Sequence, residues 1–65
     1  MRFTYAEKRD AARGRVYSLE TWLADFGGPK SKFPQHLIDD RKRELALMRD
    51  IASDYSRAAE KEKAA

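Results

Sequence analysis

The chain has no cysteine, so it can form no disulfide framework and no thiolate metal site. One histidine, His36, is too few for a self-contained zinc site. No apolar run approaches the ~20 residues needed to cross a bilayer. The opening "MRFTYAEKRD" also lacks the apolar segment of a signal peptide. These absences predict a soluble, cytoplasmic protein without a cofactor. Glycine and proline are scarce as well, and four of the five lie between Gly27 and Pro34. Nearly all the chain-breaking signals therefore sit in one short stretch.

What is present points to helix. The chain has 65 residues, 38% of them charged, with much Ala, Glu, Lys, Leu and Arg, an all-α composition. That length allows one domain at most, near the lower limit for a single core. Net charge is +3, and residues 1–33 carry all of it, with seven basic residues against four acids. Residues 34–65 hold seven of each sign.

The spacing predicts two helices, about 4–26 and about 34–61, joined by a bend at 27–33. "TYAE" matches a capping box, with Thr4 accepting from the Glu7 amide and Glu7 reaching back. Tyr5, Ala12, Val16, Leu19, Leu23 and Phe26 then form a heptad-like seam that a basic turn, Lys8-Arg9, interrupts. Gly27-Gly28 followed by Pro29 reads as a helix stop, and Pro34 suits the first turn of the next helix. The second seam is Ile38, Arg41, Leu45, Met48, Ala52, Tyr55 and Ala59. Folded antiparallel, Phe26 falls near Ile38, Leu19 near Leu45, Val16 near Met48, Ala12 near Ala52 and Tyr5 near Ala59. The expected fold is an all-α antiparallel two-helix hairpin, a unit that could pair into a four-helix bundle dimer.

Candidate chemical sites are few. "DFGGPKSKFP" lacks the G-x-x-x-x-G-K-[ST] spacing and the preceding strand of a phosphate loop, and its "DFG" stands without the rest of a kinase. Lys30, Lys32 and His36 could at most meet an anion at the start of the second helix. Asp39 and Asp40 are helix neighbours that point apart; Asp39 is expected to pair with Arg43 instead. With no nucleophile–base pair and no metal set, the chain is expected not to be an enzyme.

Two surfaces remain. Tyr17, Trp22, Leu47 and Ile51 lie off the strict seam and are expected to bind a protein partner, either a second copy or another protein. Arg9, Arg13 and Arg15 form a basic segment that could contact nucleic-acid phosphates, although Glu7 and Asp10 interleave with it. Arg41, at a seam position, should pair with Asp25, Glu20 or Glu44, or extend outwards.

"RVYSLETWL" together with "RKRELALMRDIASDY" resembles short open reading frames of bacteriophages and prophages. Arg15, Val16, Tyr17, Trp22, Glu44, Met48, Ile51, Asp54 and Tyr55 carry the resemblance, over about half the chain. It implies a small accessory protein that acts by binding, and it supplies no catalytic residues.

Overall fold

The computed structural model describes residues 2–64. Helix α1 spans Tyr5–Phe26 and α2 spans Gln35–Ala64, packed side by side in a hairpin of 50 × 19 × 16 Å. No helix among the described residues is long and apolar enough to cross a membrane.

Thr4 is the N-cap of α1. Its Oγ1 accepts from the Glu7 N–H at 3.0 Å, and Glu7 Oε1 accepts from the Thr4 N–H at 3.4 Å. Two amide donors that the first turn leaves unpaired are thereby satisfied. At the other end, the Gly27 N–H closes on the Leu23 carbonyl at 2.8 Å. Gly27 has φ of −87°, which any residue could adopt, so the need for glycine is steric. A Cβ there would stand 2.6 Å from the Leu23 carbonyl oxygen.

The bend is short and self-bonded. The Ser31 N–H donates to the Gly28 carbonyl at 3.1 Å, and the Phe33 N–H donates to Ser31 Oγ at 3.1 Å. Pro34 lies just before α2 rather than inside it. Its carbonyl accepts from the Leu37 and Ile38 amides, so proline opens the helix by supplying an acceptor. α2 also continues past Lys61 to Ala64, because nothing in "EKEKA" breaks a helix.

Ala12, Leu19, Ile38 and Ala52 are the buried core among the described residues. All four are seam positions. Val16, Leu23, Leu45 and Met48 are only half-buried, since two helices cover one stripe of each other and no more. Of the four buried residues, two, Ala12 and Ala52, are small.

At the open end two seam tyrosines meet. Tyr5 stacks on Tyr55, with centroids 6.0 Å apart. The Tyr55 ring spans the gap between the helices at that level. Lys8 Nζ lies 5.4 Å from the Tyr5 ring and 5.7 Å from Tyr55, close enough for cation–π attraction to both.

Candidate functional site

Two ion pairs cross between the helices. Arg15 donates through Nε to Glu44 Oε2 at 2.8 Å and through Nη2 to Oε1 at 2.9 Å. Arg49 Nη2 donates to Glu20 Oε1 at 3.2 Å. Arg15 and Glu20 are five positions apart, or about 140° around a helix, and so are Glu44 and Arg49. The two pairs therefore flank the seam on opposite sides and mark the two broad faces of the hairpin.

The Arg15–Glu44 face can be read from helical spacing. On α1 it carries Lys8, Ala11, Arg15, Ser18 and Trp22, each three or four residues from the next. On α2 the same spacing picks out Leu37, Asp40, Glu44, Leu47, Ile51 and Asp54. Leu47 is 54% exposed, while Leu37, Ile51 and Trp22 are half-buried. The charged pair at the centre is satisfied within the face, so apolar side chains surround a neutralised contact.

Three of the four residues expected to bind a partner, Trp22, Leu47 and Ile51, share this face. Tyr17 does not. It lies three residues before Glu20, on the other broad face, and is 73% exposed. The five residues from Tyr17 to Trp22 turn the helix by about 140°, so the two rings cannot make one patch.

Trp22 also has a structural role. It packs against Phe26 and Phe33 with centroids 5.6 and 5.2 Å away, and Phe26 meets Phe33 at 5.3 Å. Phe33, from the bend, thus folds back over the end of α1. The Arg41 guanidinium lies 5.5 Å from the Trp22 ring and reaches Glu44 at 3.6 Å. Of the three acids expected to partner Arg41, Glu44 is the one it contacts. Its Nε is buried without a hydrogen bond among the described residues, so stacking and Glu44 hold the side chain at the seam.

Glu44 therefore serves two arginines. The hydrogen bonds from Arg15 hold its carboxyl below the ordinary glutamate range; desolvation opposes them, and the charges of Arg15 and then Arg41 add to the lowering. The same hydrogen bonds raise Arg15.

The basic segment is not gathered into one stripe. Arg15 is engaged with Glu44, and Arg9 Nε donates to Asp10 at 3.0 Å. Arg13 borders a shallow groove with Ser56, Arg57 and Glu60, on a different side from Arg15. Asp39 accepts from Gln35 Nε2 at 3.0 Å, and it makes no ion pair with Arg43 among the described residues. Lys30, Lys32 and His36 are all exposed.

The Arg15–Glu44 and Glu20–Arg49 pairs were not anticipated from the sequence. Their signal was the pattern of opposite charges flanking both seams, which a list of apolar positions does not register. No protein-family model, curated protein or solved structure matches the chain.

Proposed function

We propose that the chain is a small, non-enzymatic protein-interaction module. It docks a protein through the face formed by Trp22, Leu37, Leu47 and Ile51, and acts as an accessory or inhibitor of the kind the phage and prophage resemblance implies. The observation that carries this reading is Leu47, more than half exposed and one turn from the half-buried Ile51. An apolar strip beside a charge pair that satisfies itself favours a partner that removes it from water.

The alternative, nucleic-acid binding through Arg9, Arg13 and Arg15, has less support. Two of these three cations already contact carboxylates, and Arg15 faces away from Arg13.

The test is capture by the tagged chain from its native cell lysate, with nuclease present. Leu47→Glu is compared with Tyr17→Glu on the opposite face. A discrete protein kept by wild type and Tyr17→Glu but lost with Leu47→Glu is the expected result. Equal capture by Leu47→Glu, or capture that nuclease abolishes, contradicts the reading.

A further inference from the structure

We draw no further inference here: the strongest candidate, the apolar strip of Leu37, Leu47 and Ile51 on the Arg15–Glu44 face, belongs to the docking surface already described, and nothing in the structure shows what covers it.

Discussion

Arg15 and Glu44, 29 residues apart in the chain, are joined by two hydrogen bonds of 2.8 and 2.9 Å across the helix pair. Arg15 precedes the seam residue Val16 and Glu44 precedes Leu45. In an antiparallel pair these preceding flanks face each other, as do the following flanks, where Glu20 meets Arg49. Were α2 reversed, preceding flanks would face following ones. Arg15 would then meet Arg49, and Glu20 would meet Glu44. The charge order thus favours the observed direction and opposes the other.

Reversing one partner should weaken the fold, and reversing both should restore part of it. Arg15→Glu is expected to lower the midpoint of thermal unfolding, with Arg15→Glu/Glu44→Arg recovering part of the loss, since Arg41 then loses its carboxylate. A double variant no more stable than the single one would mean that the pair does not contribute as a unit.

Acid should remove part of the stability through Glu44. Its folded pKa is depressed by Arg15 and Arg41. The stabilisation is therefore fully present above the unfolded value of about 4.3 and is lost as pH falls through the lower folded value. Glu44→Gln should flatten that limb of the stability–pH curve measured by urea unfolding. An unchanged acid limb would place the titration elsewhere.

The two glycines of α1 and its cap should respond oppositely to alanine. Open space surrounds Gly14, so Gly14→Ala should stabilise the chain by about 0.8–1 kcal/mol. Gly27→Ala should destabilise it, because the new methyl would collide with the Leu23 carbonyl oxygen at 2.6 Å. Denaturant midpoints measure both; a neutral Gly27→Ala would mean that the turn adjusts freely.

Trp22→Ala should cost fold stability as well as binding. The ring anchors Phe26, Phe33 and Arg41, and half-burial suggests a loss of about 2 kcal/mol, below that of a fully buried aromatic. Leu47→Glu, at an exposed site, should leave the fold of the single chain intact. Near-ultraviolet circular dichroism separates the two, and an unchanged melt for Trp22→Ala would return Trp22 to a purely binding role.

Much of this architecture was legible in local signals. Thr4 and Glu7 announce the start of α1, Gly27-Gly28-Pro29 announces its end, and the seam spacing predicts antiparallel register from Leu19 to Ala52. Those features depend on neighbours in the chain or on strict periodicity. What escaped depends on angle and reach. Tyr17 and Trp22 look adjacent in sequence yet diverge around the helix. The Tyr5–Tyr55 stack depends on the reach of two rings that a list of layers does not register. Arg15 appeared as a free cation because its partner is on the other helix, and only the fold brings them together.

Capture from the native cell lysate with nuclease present tests the central claim most directly. A module that docks a protein through the Leu47 face must lose that protein when the face carries a charge. The account predicts one discrete protein held by wild type and by Tyr17→Glu and lost with Leu47→Glu. Equal capture by wild type and Leu47→Glu would contradict it.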